Sequence, residues 1–440
     1  MLHRILFGFI MRPRGRAIKG RKDYGLMTFG LTKKEFSWVL YDVGNSAFVL
    51  LSTALIPIYF SAIAEPGSSV VVAWGYAETV ASLILALLMP VLGSLADIAG
   101  NKKKFLVGFA GTGAVACAAL GVPQHALAFL VVYVIAAVML NGSMVFYDAF
   151  LVDATTEDRF DKVSSHGYAW GYIGSCVPFI ACLAVVLGGP SFGIPTMVGM
   201  KIAFVITAVW WLAFTIPVAR NVKQLHGRKA GSHVVRDTFT GLANTVKSII
   251  HNQRLLFFML AFFFYIDGVH TVIKMSTSYG TDLGIDSTQL VLALLVTQFV
   301  AFPSAIAYGN LAKRFGTRRM LMVGVFAYFC IVLFAAFFLK SAFEFWILAI
   351  CVGLFQGGIQ ALSRSEYGKL IPKERANEYY GFFDIFGKYA AIMGTFLVSL
   401  FTQITGSSEL GVLSIAALFI IGFFLLRAMP EKENRIDTAA

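Results

Sequence analysis

Twelve apolar stretches, each long enough to cross a bilayer, occupy most of this sequence. A membrane helix needs about 20 apolar residues to cross roughly 30 Å of hydrocarbon. The 440 residues are 58% hydrophobic and 14% charged, with a mean hydropathy of +0.75, which excludes an ordinary soluble protein. We therefore expect an all-α integral membrane protein with twelve transmembrane helices, at 36–63, 70–95, 105–122, 126–152, 163–187, 202–218, 255–278, 290–311, 320–339, 343–363, 379–401 and 410–429.

Two short segments between these stretches are copies of each other. Gly93 to Lys103 and Gly309 to Arg319 both read G-x-L-A-x-x-x-G-x-basic-basic, and they lie 216 residues apart. Their glycines permit a tight turn between two helices, and their cations stay at the aqueous surface. Because twice this spacing is nearly the chain length, we expect two six-helix halves, and such internal symmetry is typical of transporters.

The positions of the cations define the domains and the orientation. They concentrate in the N-terminal tail, the two turns and the segment between the halves, all on one side of the membrane. The positive-inside rule therefore predicts cytoplasmic termini. We divide the chain into a basic tail (1–34), a first half (35–222), a basic linker with an amphipathic segment (223–252), a second half (253–430) and a C-terminal tail (431–440).

Several classes of function are not expected from this sequence. The net charge of +12 lies in tails and loops rather than on one face, so we expect no nucleic-acid partner. The sequence has no P-loop, HExxH or GxSxG motif, and its five cysteines lie inside apolar stretches without metal-ligand spacing. We therefore expect no enzymatic activity, no cofactor and no metal site.

Polar residues inside the predicted spans are the candidates for function, because an ionisable group in hydrocarbon is costly. In span 1, Asp42 and Asn45 share one helix face. Asp42 can either hydrogen-bond a neighbouring helix or take part in solute or proton binding. In span 4, Asp148 and Asp153 follow Tyr147 near the helix end, and we interpret Asp153 as a surface acid.

Span 7 carries a stripe of three ionisable residues, Asp267, His270 and Lys274, spaced i, i+3, i+7. Asp267 lies near the middle of the span. A carboxylate there, beside a histidine, is suited to carrying a proton, and a buried structural network is the alternative.

Span 10 carries Gln356, Gln360 and Arg364 at i, i+4 and i+8. Amides suit hydrogen bonds to a zwitterionic or polyol solute, and a guanidinium suits a carboxylate. Arg364 could instead pair with Glu366 or a loop acid. Since a six-helix repeat makes spans 1 and 7, and spans 4 and 10, equivalent, we expect a central cavity lined by these residues of the four spans: Tyr41, Asp42, Asn45, Ser46, Tyr147, Asp148, Asp267, His270, Lys274, Gln356, Gln360 and Arg364.

The repeated turn resembles the signature loop of the major facilitator superfamily. Five further segments are similar to the vacuole effluxer-like family within it: 40–48 (LYDVGNSAF), 145–151 (VFYDAFL), 163–172 (VSSHGYAWGY), 265–271 (YIDGVHT) and 356–365 (QGGIQALSRS). This chain has Val43-Gly44 where the family usually has Trp-Ala, and Asp148 where it has Asn.

This resemblance implies alternating access, in which two halves rock around a midplane site and the turns act at a cytoplasmic gate. We carry the gate role over to Gly93, Asp97, Gly100, Lys103, Gly309, Gly316 and Arg318.

Two functions are consistent with these features. The first is a secondary transporter of small polar solutes, with proton-coupled amino-acid efflux or exchange as the expected activity, acting as a monomer in a bacterial plasma membrane. The second is a receptor or scaffold with a transporter fold that does not transport and need not bind a solute.

Overall fold

The described part of the chain is a helical bundle without named strands. The computed structural model describes residues 28–64, 70–229 and 234–431, so most of the predicted N-terminal tail and nearly all of the C-terminal tail lie outside it. We label the long bundle helices α1 to α12 in chain order: Lys33–Ile63, Val70–Ala96, Lys102–Ala119, Ala126–Ala149, Phe160–Gly188, Thr196–Asn221, Gln253–Asp282, Ser287–Phe315, Thr317–Phe338, Ala342–Leu370, Ala376–Thr405, and the two-part α12, Ser408–Ser414 with Ala416–Ala428.

Eleven of the helices in these described ranges are long and apolar enough to cross a membrane. The remaining bundle helix, α3, has 18 residues and begins with three lysines. The all-α membrane architecture is therefore confirmed, and the count of twelve spans stays a prediction.

The helices form two halves, α1–α6 and α7–α12. In the first half, α1 packs against α5 and α6, and in the second, α7 packs against α11 and α12. The halves meet where α5 contacts α8 and α10, and where α11 contacts α2 and α4. We call the side on which the turns 93–103 and 309–319 lie the turn side.

One pair of hydroxyls recurs in each half. The Tyr41 hydroxyl of α1 lies 2.6 Å from the Ser143 hydroxyl of α4. The Tyr265 hydroxyl of α7 lies 2.6 Å from the Ser363 hydroxyl of α10. The first and fourth helices of both halves are therefore joined in the same way, which agrees with the repeat in the sequence.

Local signals fix the start of α1. The Thr32 hydroxyl accepts a hydrogen bond from the Glu35 N–H (3.2 Å), and the Glu35 carboxylate accepts one from the Thr32 N–H (2.7 Å), so the two residues form a capping box. The Arg159 Nε donates to the same carboxylate over 2.6 Å. This contact joins the start of α1 to the turn before α5.

The linker closes over the turn side of the first half. Asp153 is buried, and its carboxylate accepts hydrogen bonds from the Lys102 ammonium (2.7 Å) and from the N–H groups of Leu225 and His226 (both 2.8 Å). Although burial acts to raise it, the pKa of Asp153 lies below its usual value because of the Lys102 charge and these hydrogen bonds. The interpretation of Asp153 as a surface acid is therefore wrong. The linker then forms a helix, Val234–His251, against α2 and α7.

Candidate functional site

A buried arginine of the second half inserts into the first half. Arg364 lies on the turn-side part of α10 and its side chain is 1% exposed. Its Nη1 donates to the Asp148 carboxylate of α4 over 2.8 Å. Its Nε and Nη2 donate to the hydroxyl and carbonyl oxygens of Ser164 on α5, over 2.9 and 3.0 Å. One side chain therefore joins three helices across the two halves.

A second carboxylate belongs to the same cluster. Asp42 of α1 lies 3.7 Å from the Arg364 Nη1 and accepts a hydrogen bond from the Tyr147 hydroxyl over 3.1 Å. One cation thus faces two carboxylates, and the Asp148 side chain is still 18% exposed. The guanidinium also lies over three aromatic rings, at 4.4 Å from the Tyr168 centroid, 4.8 Å from that of Trp38 and 5.3 Å from that of Tyr147.

The alternative partner considered for Arg364, Glu366, points elsewhere. Residues two positions apart on a helix do not face each other. Glu366 lies 3.2 Å from the Arg254 guanidinium and 3.8 Å from the Lys369 ammonium. The acids beside Arg364 are therefore Asp148 and Asp42.

The predicted amide and hydroxyl residues lie in several places. The buried Asn45 donates to the Tyr41 carbonyl within α1 (3.0 Å). Ser46 lies beside α5, where a Cβ at Gly171 would be 2.9 Å from its hydroxyl. The Gln360 amide donates to the Tyr172 hydroxyl across the halves (3.4 Å). Gln356 lines a small cavity of about 40 Å³ between α7, α8 and α10.

The three residues of the α7 stripe, Asp267, His270 and Lys274, are buried to different extents. Asp267 is completely buried, and one carboxylate oxygen accepts hydrogen bonds from the Gly394 N–H (2.9 Å) and the Thr271 hydroxyl (3.3 Å). Its other oxygen is buried and has no hydrogen-bond partner among the residues the structure describes. His270 is half-buried, and Lys274 is exposed. Only Asp267 of the three is enclosed.

The first turn contacts the start of α11. Asp97 is buried, and its carboxylate accepts hydrogen bonds from the N–H groups of Asn377 and Glu378, both 2.9 Å, at the positive end of that helix. Burial raises the pKa of Asp97 to about 7, and the Lys102 charge and these N–H groups act in the opposite direction. A Cβ at Gly93 would lie 2.6 Å from the Asn377 carbonyl oxygen, so glycine permits this close approach.

The second turn contacts α5 in a corresponding way. A Cβ at Gly309 would lie 2.6 Å from the Ser165 hydroxyl. The Asp161 carboxylate accepts hydrogen bonds from the Thr317 hydroxyl (2.9 Å) and the Lys369 ammonium (2.8 Å). Both turns thus join the halves on the turn side.

The remaining predicted gate residues shape the turns themselves. Gly100 and Gly316 have φ values of +88° and +90°, which favour glycine. Lys103 is half-buried on α3. The Arg318 Nε donates to the Leu426 carbonyl of α12 over 2.8 Å, within the second half.

Several polar residues of this interface were not predicted from the sequence. Among them are Asp161 and Ser164 at the start of α5, and Lys369 at the end of α10. Because charged residues are ordinary at helix ends, nothing in the local pattern distinguishes Asp161 and Lys369. Asp161 does lie 216 residues before Asn377, the residue that Asp97 contacts, and this spacing is the one available signal.

The two-half bundle, with its turn-side contacts and buried charge cluster, is that of a major facilitator transporter. The fold is similar to that of FucP, a major facilitator superfamily transporter in the outward conformation, with a TM-score of 0.68, 13% identity, and coverage of 91% of this chain and 99% of that one.

The family model for vacuole effluxer Atg22-like proteins matches residues 68–154 and 152–439, and the chain belongs to this family. It is 46% identical to YxiO of Bacillus subtilis, an MFS-type transporter, over 92% of this chain and 96% of that protein. It is 26% identical to autophagy-related protein 22 of Cryptococcus neoformans, over 62% of this chain and 53% of that protein. The chain is thus an integral, multi-pass membrane transporter.

Proposed function

We propose that this transporter exports or exchanges amino acids by alternating access, coupled to protons, in a bacterial plasma membrane. The observation that carries the proposal is the buried cluster of Arg364, Asp148 and Asp42 between the halves. A cation and two carboxylates held together match the opposite charges of a zwitterion.

The charges of the cluster assign a role to each end of the solute. The planar fork of Arg364 binds a carboxylate through two parallel hydrogen bonds. Asp148 and Asp42 bind the solute ammonium, and the rings of Trp38 and Tyr168 hold the Arg364 guanidinium in place through cation–π contacts. The solute carboxylate replaces Asp148 at Arg364, so binding exchanges one ion pair for two.

Neighbouring polar residues supply contacts to the rest of the solute. Gln360 and Tyr172 form a hydrogen bond across the halves, and Gln356 lies one helical turn before Gln360 on α10. With Asn45, Tyr41, Ser46 and Tyr147 of the first half, they form the polar part of the proposed site.

Asp267 is the proposed proton carrier, with His270 and Lys274 on the same helix face. A buried carboxylate whose second oxygen lacks a partner in the described chain is costly when ionised. Protonation removes that charge. The proton site on α7 is then separate from the solute cluster, and α7 and α10 couple them because the Tyr265–Ser363 hydroxyls join these helices.

The two turns form the proposed gate. Asp97 holds the start of α11 and Asp161 holds Lys369, so the turn side is closed in this conformation. Opening requires both contacts to separate together with the Arg364–Asp148 pair. We place the turn side at the cytoplasm, and the unit of transport is one chain.

Solute counterflow tests the proposal directly. The full chain is reconstituted into proteoliposomes loaded with unlabelled amino acids, and uptake of a labelled amino-acid mixture is followed with and without a pH gradient. We expect labelled zwitterionic amino acids to accumulate, and a pH gradient to change the level reached. Labelled fucose and a polyamine serve as polyol and cationic controls. Absence of amino-acid accumulation by folded, inserted protein, or accumulation of a control solute instead, would contradict the proposed substrate class.

A further inference from the structure

A second charged cavity lies on the turn-side surface of the second half, away from the solute cluster. It is an open cleft with a volume of about 890 Å³, lined by the turn-side ends of α7, α8, α9 and α10 and by the residues that follow α12. Its charged lining consists of four cations and two carboxylates: Arg254, Arg318, Arg319, Lys369, Glu366 and Glu431. Lys369 is paired with Asp161, which does not line the cavity, and the remaining three arginines and two carboxylates still leave a net positive charge.

The start of α9 adds hydrogen-bond donors to this lining. Gly316 precedes the helix with φ +90°, and Thr317 to Arg319 form its first turn and line the cavity. The first N–H groups of a helix have no partner inside it and carry the positive end of the helix dipole. One short segment thus brings these backbone donors and the cations Arg318 and Arg319 to the lining, an arrangement suited to an oxyanion.

The cations are only partly neutralised by the protein. Arg254 pairs with Glu366 at 3.2 Å, but its Nε is buried without a hydrogen-bond partner in the chain described. Arg319 is exposed and makes no ion pair with any residue of the described ranges. The Arg318 Nε and Nη2 donate to the Leu426 and Arg427 carbonyls of α12, which carry no full charge. Its one ion-pair partner among the described residues is Glu431, at 4.0 Å and 91% exposed, a separation that contributes little.

The first half has a cation at the corresponding position, and there it is fully paired. Lys102, which lies 216 residues before Arg318, is completely buried and lies 2.7 Å from the Asp153 carboxylate. Linker residues Leu225 and His226 cover that carboxylate. The second half repeats the cationic turn, but within the described ranges the buried acid nearby, Glu366, pairs with Arg254 rather than with Arg318, and no described segment covers Arg318 as the linker covers Asp153.

We propose that this cavity binds a phosphate group on the turn side of the membrane. A phosphate offers several strong acceptor oxygens to the Arg254, Arg318 and Arg319 guanidiniums and to the N–H groups of α9. The group is supplied by the headgroup of an anionic phospholipid or by free phosphate in solution. Both sources share this chemistry, and the bound group ties α7, α9 and α12 together.

The melting temperature of the purified full chain is the measurement. The chain in detergent micelles is titrated with phosphatidylglycerol, with phosphatidylcholine at equal total lipid, and with inorganic phosphate against sodium chloride of equal ionic strength. The variants are Arg319→Gln and Arg319→Glu. Arg314→Gln is the matched control, because Arg314 is exposed near the end of α8, on the same side of the membrane, and does not line the cavity.

We expect the ligand to raise the melting temperature of the wild type and of R314Q equally. The ligand concentration at half-saturation should be about fivefold higher in R319Q than in the wild type, because one cation near the phosphate is lost. It should be higher still in R319E, because the charge there is reversed. A response to phosphatidylglycerol alone identifies a lipid headgroup, and a response to inorganic phosphate identifies a free ligand. No response to either ligand, or equal half-saturation in R319E and R314Q, would overturn the proposal.

Discussion

Asp148 and Arg364 lie 216 residues apart in the chain, and their side chains meet at 2.8 Å. The same spacing separates the two glycine-rich turns. The two residues come from the fourth helix of each half, so an acid of one copy pairs with a base of the other. Separating a buried pair of this kind leaves both charges unpaired, which is strongly unfavourable. A solute that supplies both charges removes this penalty.

We expect Arg364→Lys to lower amino-acid counterflow by about tenfold or more. Lysine keeps the charge but cannot form two parallel hydrogen bonds to a carboxylate, and the loss of a charged hydrogen bond is about 1.5–3 kcal/mol. Counterflow is measured per inserted protein in proteoliposomes. Arg220→Lys, at an exposed position near the end of α6, is the control and should transport like the wild type. Wild-type counterflow by R364K would exclude a bidentate contact between Arg364 and the solute.

Asp267→Asn separates the proton step from the solute step. Asparagine resembles the protonated carboxyl, so exchange of labelled for unlabelled solute should stay within about twofold of wild type, whereas accumulation driven by a pH gradient should be lost. Both rates are measured in the same proteoliposomes. Glu374→Gln, at an exposed site, is the control. If D267N still accumulates solute in response to the gradient, Asp267 is not the coupling group.

The fold was predictable because its signals are local and repeated. Apolar length defines the helices, and the copied turns at Gly93 and Gly309 define the two halves. The sequence alone also allowed Glu366 to be excluded as a partner of Arg364, because side chains two residues apart on a helix point in different directions. Helical spacing likewise gave the stripe of Asp267 and Lys274.

The burial of individual side chains and their contacts with helices distant in the sequence were not predictable. Helical spacing places Asp267 and Lys274 on one face of α7. It does not predict that α11 encloses Asp267 while Lys274 is exposed. The position of Asp153 at a helix end predicts a surface acid. In the structure it is buried, because Lys102 and the linker both contact it. Both outcomes depend on helices far apart in sequence.

The gate is expected to respond to pH through Asp97. Burial in the closed gate raises its pKa to about 7, whereas an open gate exposes the carboxyl, whose ordinary pKa is about 3.9. At a pH between these two pKa values, closure of the gate is therefore accompanied by uptake of a proton by Asp97. The closed conformation should be most favoured at low pH, lose stability as the pH rises from about 4 to about 7, and change little above that.

Distance measurements between spin labels at Lys104 and Glu374 test this response, because both residues are exposed on the turn side, one in each half. The population with the short distance should fall between about pH 4 and about pH 7 in the wild type and stay constant above that. In Asp97→Asn, which cannot ionise, it should be constant. Lys102 and Glu378 also lie close to Asp97, so Glu378→Gln is measured in parallel. A pH response that persists in D97N but disappears in E378Q would assign it to Glu378.

Gly93→Ala tests whether close approach of the halves closes the gate. The added Cβ would lie 2.6 Å from the Asn377 carbonyl oxygen and 3.2 Å from the Glu378 Cα, and backbone atoms cannot rotate away. The variant should shift the same spin-label distances toward the open population and lower counterflow by about tenfold, an effect of roughly 1–3 kcal/mol for overpacking.

Gly108→Ala is the matched control, because a Cβ there meets no atom within 4 Å on the surface of α3. It should leave both the distances and the transport rate unchanged. Gly309→Ala should act in the same direction as G93A. Its Cβ would lie 2.6 Å from the Ser165 hydroxyl, which can rotate, but also 2.7 Å from the Ser165 Cβ and 3.0 Å from the Asp161 carbonyl oxygen, which cannot. Both G93A and G309A are therefore expected to open the gate more than G108A. Equal distances in G93A and G108A would show that the contact between Gly93 and α11 does not determine closure.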